Sequence, residues 1–276
     1  MYTKIPKKQG IELKKKFGQH FLQDHFFVDQ VVRQIPFTQG MNVFEIGCGE
    51  GVLTKAIAAQ PNLGSLQVFE IDPEWAALVK KDLQDDPRVQ VNLTNILDVN
   101  LNELFAGQQW VLLANLPYCI TFPILHLLQQ SRSVVPQGVI MIQEEVAQKI
   151  IQKSGRGYGY PSLFFQHYFD WQLMDRVPPT AFFPAPKVFS RLLYFKANLH
   201  PEVIIDEPGF WKFIKACFLQ PRRTLKNNLQ QSKYVSAGAL AQEGGIPSVF
   251  SEDLLKKRAQ ELSMQDFLSI WKTLQA

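Results

Sequence analysis

The sequence has few cysteines and no metal-binding pattern, and both absences exclude a class of protein. Its three cysteines, Cys48, Cys119 and Cys217, are odd in number and show no Cys-x-x-Cys spacing. Neither a disulfide framework nor a zinc site is predicted from them. The five histidines are scattered and add no ligand pattern, so we expect no bound metal.

Long hydrophobic runs are also missing. No apolar stretch approaches the roughly 20 residues that a membrane helix needs, and residues 1–8 lack the apolar core of a signal peptide. The 276 residues are 46% hydrophobic and 20% charged, which is typical of a soluble protein with one main core and a small additional unit. We expect a cytoplasmic protein, and nothing in the sequence requires more than a monomer.

The net charge of +4 is small but unevenly distributed. Because clustered cations neutralise phosphates, we interpret the cluster near residue 222, on a predicted helix, as a nucleic-acid contact. For residues 1–13 a solvated, flexible basic tail is an equally good interpretation. The clustered cations are Lys4, Lys7, Lys8, Lys14, Lys15 and Lys16 at the N-terminus, and Lys212, Lys215, Arg222, Arg223 and Lys226 further on.

Short apolar segments alternate with segments of helical periodicity over most of the chain. This alternation predicts an α/β fold with a mostly parallel sheet covered on both faces. The last two predicted strands have no long helix between them, so they are expected to pair antiparallel at one edge. The predicted strands are 42–46, 66–71, 89–93, 110–114, 139–142, 163–169 and 188–195, and the predicted helices are 52–59, 74–83, 122–130 and 144–153.

The pattern changes after residue 200. Helices are predicted at 210–218, 222–230 and 264–274 from apolar residues at three- and four-residue spacing, and 203–205 is the one candidate strand there. We therefore predict a main domain over residues 1–200 and a small helical domain over residues 201–276.

A glycine-rich loop follows the first predicted strand. Gly47, Gly49 and Gly51 stand at alternate positions, and glycine lets a backbone turn sharply and approach a ligand closely. Taken alone, this loop is explained equally well as a tight strand-to-helix turn. Glu70 lies nineteen residues past Gly51 at the end of the next strand, where a carboxylate can accept hydrogen bonds from ribose hydroxyls. Asp72 is better placed to cap the following helix.

A motif with several hydrogen-bonding groups, Asn115-Leu116-Pro117-Tyr118, stands at the end of a predicted buried strand. The Asn115 side-chain oxygen and the Leu116 carbonyl can accept the two hydrogens of an exocyclic amine, and Pro117 has no N–H to compete. Tyr118 can stack on one face of a base such as adenine, with Phe182 on the other. A strand-ending turn is the alternative for this motif by itself.

Taken together, these segments resemble the ribosomal RNA adenine dimethyltransferases, which are class I methyltransferases that use S-adenosylmethionine. The resemblance covers nearly the whole chain. The segments that carry it, in chain order, are 14–22, 43–51, 68–72, 115–118, 181–188, 218–229 and 258–263.

The resemblance implies a Rossmann-like sheet with a small C-terminal helical, RNA-binding domain. It implies dimethylation of two adjacent adenosines near the 3′ end of small-subunit (16S-type) rRNA during ribosome biogenesis. The implied partner is this rRNA, within a pre-ribosomal 30S-type particle. The base must be single-stranded or flipped out for its amine to be reached.

The resemblance also implies the roles of individual residues. His20 and Leu22 flank the cofactor, Gly47 lies beneath its amino-acid end, Glu70 holds the ribose, and Asn115 borders the methyl group. Gly49 and Ile71 are further cofactor contacts. Asn115, Leu116, Pro117, Tyr118 and Phe182 form the catalytic set. The implied RNA contacts are Lys14, Lys15, Lys16, Arg222, Arg223 and Lys226.

The chain departs from the family pattern at three positions. His20 stands where relatives usually have asparagine. Asn95 stands where they have an aspartate next to the cofactor's adenine amine, with Asp98 in reserve for that contact. Pro221, which suits the first turn of a helix, replaces a basic residue and removes one expected phosphate contact.

Other functions remain as alternatives. A non-catalytic RNA-binding assembly factor would keep the fold without transfer, and related Asn/Asp-Pro-Pro-Tyr motifs occur in DNA and protein-amide methyltransferases. Leucine in place of the first proline and the basic helical extension favour RNA. A dinucleotide-dependent dehydrogenase is the weakest alternative, because no acid or base for hydride transfer stands out.

Overall fold

The computed structural model describes residues 7–14, 17–232 and 250–275. In this part of the chain the strands are β1 Lys7–Lys8, β2 Ile11–Glu12, β3 Phe21–Leu22, β4 Met41–Ile46, β5 Leu63–Glu70, β6 Val89–Leu93, β7 Trp110–Asn115, β8 Gln137–Gln143, β9 Phe169–Val177, β10 Phe182–Phe183 and β11 Ser190–Ala197. The helices are α1 His25–Arg33, α2 Val52–Ala58, α3 Pro73–Asp82, α4 Leu101–Leu104, α5 Thr121–Gln130, α6 Glu144–Ile151, α7 Tyr160–Tyr168, α8 Glu207–Cys217, α9 Leu225–Gln231, α10 Glu252–Lys256 and α11 Met264–Gln275.

A seven-stranded sheet in the order β6-β5-β4-β7-β8-β11-β9 forms the centre of the main unit. The first five strands of that order are parallel, and β11 runs antiparallel to both β8 and β9. The predicted α/β fold, with a mostly parallel sheet and an antiparallel edge, is confirmed. The carboxyl ends of the parallel strands meet along one edge of the sheet, where open α/β folds bind ligands.

Apolar side chains from α1 and α2 cover one face of the sheet. In α1 the buried residues Phe27, Val28, Val31 and Val32 recur with the helical period, and Asp24 caps the helix by accepting from the Phe26 amide. They share a core cluster with residues of the central strands, among them Leu113 and Met141. This layer anchors β4 and β7, so the loops that follow these strands start from a rigid base.

The chain divides into two compact units, Met1–Ala147 with Phe169–Leu199, and Gln148–Tyr168 with His200–Ala276. The second unit therefore includes residues 148–168, a segment that the sequence assigned to the main domain. Its core contains Phe210, Phe213, Phe267 and Trp271. The fully buried Asn228 ties α9 to α8, because its amide donates to the carbonyl of Cys217 at 2.8 Å.

The predicted strand at 163–169 is wrong, because α7 occupies Tyr160–Tyr168 and β9 begins only at Phe169. Short apolar runs do not distinguish a buried strand from a buried helix. Within the second unit, Phe164 and Tyr168 make ring contacts with Trp211 of α8. This aromatic packing explains why the segment is helical.

Two predictions for the C-terminal region are also corrected. Residues 203–205 lie outside any strand, with Val203 86% exposed. Helix α9 begins at Leu225 with Thr224 as its cap, so Pro221, Arg222 and Arg223 lie in the preceding turn. The Thr224 side chain accepts from the Asn227 amide and sets the start of the helix there.

The interpretation of the N-terminal segment as a flexible basic tail is wrong for residues 8–13. Strands β1 and β2 form an antiparallel pair, and Leu13 is buried with Phe21 and Trp75 in a small apolar cluster. Lys8 forms a 2.6 Å ion pair with Glu50 of the glycine loop. Residues 1–6 and Lys15 and Lys16 lie outside the described residues.

Candidate active site

A cleft opens at the carboxyl ends of β4, β5, β6 and β7, with an empty volume of about 960 Å³ that includes solvent at its mouth. It brings together every residue that the sequence assigned to the cofactor. These residues, His20, Leu22, Gly47, Gly49, Glu70, Ile71, Asn95 and Asn115, all line the cleft.

The glycine loop between β4 and α2 forms the floor of the cleft. Gly49 has a φ of +51°, a left-handed conformation that favours glycine. A Cβ at this position would lie 2.5 Å from Cδ1 of Phe21, so glycine is also required sterically. Gly47 has a φ of +76°, and a Cβ there would lie 3.6 Å from Cγ of Pro117. The loop therefore lies directly against the Asn115 motif.

The Glu70 carboxylate is buried at the end of β5 and is held by backbone donors. Its Oε1 accepts from the amides of Ile71 at 2.8 Å and Asp72 at 2.9 Å. Its Oε2 accepts from the Gly49 amide at 3.2 Å and faces the Cys48 thiol at 3.6 Å. Burial raises the pKa of that thiol, so Cys48 stays protonated. These contacts fix Glu70 at the cleft wall.

Glu45, which sequence reasoning missed, also lines the cleft. It is 1% exposed, and its Oε2 accepts a 2.6 Å hydrogen bond from the Thr54 hydroxyl. Burial raises the pKa of Glu45 to about 8, with the Glu70 charge adding to the shift. The available signal was a carboxylate inside the apolar run 43–46, because glutamate is almost never fully buried without a partner.

Asn95 and Asp98, the two candidates for the adenine contact, differ in their position at the end of β6. Asn95 lines the cleft together with Thr94 and Ile96. Its side-chain oxygen accepts from the Leu97 amide at 3.2 Å and caps a short 3₁₀ turn. Asp98 is exposed at the other end of that turn and is absent from the cleft lining.

Asn115 and His20 meet at the centre of the cleft wall. The Asn115 amide nitrogen donates to the His20 carbonyl at 3.2 Å, so the side-chain oxygen is left to accept from another group. The His20 Nδ1 lies 2.7 Å from the carbonyl oxygen of Pro184. A carbonyl only accepts, so the His20 Nδ1 carries a hydrogen and donates it to Pro184.

Tyr118 lies at the boundary of the cleft, just beyond β7. Its hydroxyl lies 2.5 Å from the Ser190 hydroxyl, and its ring stacks on His20 with a centroid distance of 5.8 Å and an interplanar angle of 25°. Burial raises the pKa of Tyr118, so the ring stays neutral. Leu116 is anchored by a 3.0 Å hydrogen bond from its amide to the Met141 carbonyl.

Comparison of the sequence with known proteins identifies its family. The sequence matches the ribosomal RNA adenine dimethylase family over residues 10–275. The chain belongs to the ribosomal RNA adenine dimethylase family.

Two curated relatives of this dimethylase are both named ribosomal RNA small subunit methyltransferase A. The protein from Syntrophotalea carbinolica is 33% identical over 257 residues, covering 92% of this chain and 94% of the relative. The protein from Geobacter sulfurreducens is 33% identical over 279 residues, covering 97% of each chain.

Solved structures share the fold of the dimethylase. A dimethyladenosine transferase from Plasmodium falciparum has a TM-score of 0.74 at 20% identity, covering 92% of this chain and 97% of that one. The 23S rRNA methyltransferase ErmE has a TM-score of 0.66 at 19% identity, covering 93% and 100%. The predicted class I methyltransferase fold is confirmed, and the family identifies the chain as an S-adenosylmethionine-dependent enzyme.

The choice of Phe182 as the second stacking ring is not supported by its position in the dimethylase. Phe182 is 4% exposed and packs in the core cluster, because its strand β10 pairs with β3 and turns this side chain inward. Phe183 points the other way. It is 36% exposed and lies under the Lys8 ammonium, with 5.4 Å between Nζ and the ring centroid.

The cations expected from the sequence to contact RNA differ in their surroundings. Lys14 is engaged within the protein, because its Nζ lies 2.6 Å from Asp72 and 2.7 Å from Glu74, so its position does not support a role as an RNA contact. Lys15 and Lys16 lie outside the described residues. In the second unit the cations singled out from the sequence are all exposed: Lys212, Lys215, Arg222, Arg223 and Lys226.

The described residues of the dimethylase carry neither a metal centre nor a membrane-spanning helix. They contain no group of three or more His, Cys, Asp or Glu side chains arranged to hold a metal ion. Within the same ranges no helix is both long and apolar enough to cross a membrane.

Proposed function

We propose that the enzyme transfers methyl groups from S-adenosylmethionine to the exocyclic amines of two adjacent adenosines near the 3′ end of small-subunit rRNA. The names of the curated relatives support the small subunit as the source of the substrate. The observation that carries the proposal is that Asn115 opens into the same cleft as Gly47 and Glu70. An amine acceptor and a cofactor cradle therefore face one another.

The residues of the cleft fit the cofactor. Gly47 and Gly49 are held in left-handed conformations that leave room for close approach, and a buried carboxylate, Glu70, lies one strand away. We assign Gly47 and Gly49 to its amino-acid end, Glu70 and Ile71 to the ribose, and Asn95 to the adenine. His20 and Leu22 flank it. The bound cofactor supplies an electrophilic methyl group.

Asn115 and Leu116 would prepare the target amine for attack. The amine of adenine is a poor nucleophile because its lone pair is delocalised into the ring. Acceptance of its two hydrogens by the Asn115 side-chain oxygen and the Leu116 carbonyl favours a pyramidal nitrogen. The hydrogen bond from the Asn115 side-chain nitrogen to the His20 carbonyl orients the Asn115 side-chain oxygen for this role. Catalysis then rests on positioning, and the proton is lost to solvent after transfer.

Tyr118 would hold the base by stacking, which is worth about 1–3 kcal/mol per base. The hydrogen bond between the Tyr118 and Ser190 hydroxyls restricts the movement of the Tyr118 ring. Pro117 presents no N–H near the amine. A target adenosine must leave any duplex to reach this position, so the substrate is single-stranded or flipped out.

The second unit is proposed to bind rRNA through its exposed cations. Arg222, Arg223 and Lys226 carry positive charge on the turn before α9 and on α9 itself, where phosphates can be neutralised. We propose that the substrate is presented within a pre-ribosomal small subunit in the cytoplasm, and that the enzyme acts as a monomer.

The function is tested by incubating the protein with labelled S-adenosylmethionine and unmethylated small subunits, then digesting the RNA to nucleosides. We expect label in dimethyladenosine at two adjacent positions near the 3′ end. Parallel reactions with naked rRNA establish which form is the substrate. Cofactor binding without label in RNA would instead favour a non-catalytic assembly role.

Asn115→Ala is expected to abolish transfer, because one amine acceptor is lost, while calorimetric cofactor binding stays measurable. Asn102→Ala is the matched control, since Asn102 also donates one 3.2 Å side-chain hydrogen bond to a carbonyl, that of Gln130, and is absent from the cleft lining. Near-normal methylation by Asn115→Ala would refute the amine-acceptor role.

A further inference from the structure

A second pocket shares part of its wall with the cofactor cleft. It is lined by Tyr118 and His20, which also line the cofactor cleft, together with Gln143 and residues 185–188. Its empty volume of about 630 Å³ includes open solvent. The shared Tyr118–His20 stack makes this pocket continuous with the wall where the amine acceptors lie.

The register of the sheet places Gln143 beside the catalytic motif. Asn115 of β7 is the partner of Met141 on β8, and Gln143 lies two residues further on the same face. Across the next strand pair, Gln143 is the partner of Ser190, whose hydroxyl binds Tyr118. Asn115, Gln143 and Ser190 therefore share one face of the sheet at the edge where the parallel strands end.

Gln143 has the chemistry to contact a base. It is half-buried, and its side-chain amide makes no hydrogen bond to a residue in the described part of the chain. An amide both donates and accepts. Strand spacing and rise put the Cα atoms of Asn115 and Gln143 about 8 Å apart, a distance that the edge of a purine can bridge between two side chains.

We propose that Gln143 reads the target base: the adenine stacks on Tyr118 in the second pocket, and the Gln143 amide donates a hydrogen bond to a ring nitrogen next to the amine. This inference rests on the proposed function and deepens it, because it assigns a residue that distinguishes an unmodified adenine ring from altered purines. Asn115 and Leu116 would hold the amine, and Gln143 would hold the ring in register with them.

The test combines protein variants with single-atom changes in the RNA. Small subunits are reconstituted from rRNA that carries adenosine, 1-deazaadenosine or 7-deazaadenosine at the target position, and kcat and KM are measured for the wild type, Gln143→Ala and Gln143→Leu. Gln172→Ala, an exposed glutamine on β9 outside both pockets, is the matched control. Unfolding midpoints and cofactor Kd values are measured for all proteins.

We expect one of the two deaza analogues to lower kcat/KM of the wild type about 3- to 10-fold, the range for loss of one neutral hydrogen bond. Gln143→Ala should lower kcat/KM on normal RNA by a similar factor, leave the cofactor Kd unchanged, and show no further loss with that analogue. A merely structural role would move stability or cofactor affinity without this coupling.

The possible failures are distinguishable. If the wild type methylates normal RNA but both deaza analogues lower the rates of wild type and Gln143→Ala equally, the role of Gln143 is overturned while the proposed function stands. If the wild type transfers no methyl group to any of these RNAs, the proposed function itself fails.

Discussion

Substituting alanine for Gly49 tests how tightly Phe21 of β3 packs against the glycine loop. A left-handed backbone costs a non-glycine residue about 1–2 kcal/mol, and Gly49 has a φ of +51°. The added Cβ would also lie 2.5 Å from Cδ1 of Phe21. Phe21 has little room to move, because it is 7% exposed and its ring packs edge-on against Trp75 with 4.7 Å between centroids. Overpacking of this kind costs about 1–3 kcal/mol.

Gly107→Ala is the matched control for this prediction. Gly107 has a φ of +76°, and a Cβ added there would meet no heavy atom within 4 Å, so it carries the backbone cost without the clash. We therefore expect Gly49→Ala to be the more destabilising by about 1–3 kcal/mol in urea unfolding. If the β3 segment opens to relieve the clash, the cofactor Kd measured by calorimetry should rise by about 5- to 150-fold.

Phe21→Ala supplies the second arm of a double-mutant cycle. Without the Phe21 ring, Gly49→Ala should lower the free energy of unfolding no more than Gly107→Ala does. The coupling energy between positions 21 and 49 should then equal the part of the Gly49→Ala destabilisation that comes from the steric clash. Equal effects of the two glycine substitutions in the wild-type background would refute this reasoning. A Gly49→Ala penalty that persists after Phe21→Ala would refute it as well.

The remaining predictions concern Glu45, Lys14 and the two phenylalanines of β10. Burial raises the pKa of Glu45 to about 8, whereas its value in the unfolded chain is about 4.3. The contribution of Glu45 to the free energy of unfolding is therefore complete below pH ~4.3 and is lost as the pH rises from there to about 8, by at most about 1.4 kcal/mol per pH unit. Glu45→Gln should remove this loss, and urea midpoints at pH 5.5 and 8.5 check it; an unchanged slope contradicts the assignment. Lys14→Met removes the ion pair with the fully buried Asp72, so it should lower the unfolding midpoint and reduce its salt dependence, which unfolding at low and high salt measures. Phe182→Ala should cost about 3–5 kcal/mol as a core truncation, while Phe183→Ala should leave stability within about 0.5 kcal/mol; comparable losses would contradict the inward and outward orientations.

The cofactor loop and the acid that follows it could be predicted from the sequence because their signals are local. Gly47 and Gly49 follow an apolar strand, and Glu70 ends the next one, so the parallel sheet brings them to one edge. The Asn115 motif ends the neighbouring strand β7 and joins them there. Strand β6 was predicted with its observed bounds, Val89–Leu93, because apolar residues alternate with polar ones over this short segment.

Other parts of the site depend on residues far apart in the chain. The inward orientation of Phe182 follows from the pairing of β10 with β3, in which its partner, Leu22, lies 160 positions earlier. The partners of Lys8 and Lys14 are 42 and 58 residues away. No local pattern marks lysines that bind the protein's own carboxylates rather than phosphates.

By itself, the sequence determined the class of fold, the order of the motifs and the family, because strand alternation, glycine positions and strand-ending polar residues are written in short segments. Only the tertiary structure decided which side chains face the cleft, which cations are already neutralised and which apolar segment joins the second unit. These outcomes depend on sheet register and long-range packing, since a shift of one residue in a strand turns each side chain to the opposite face.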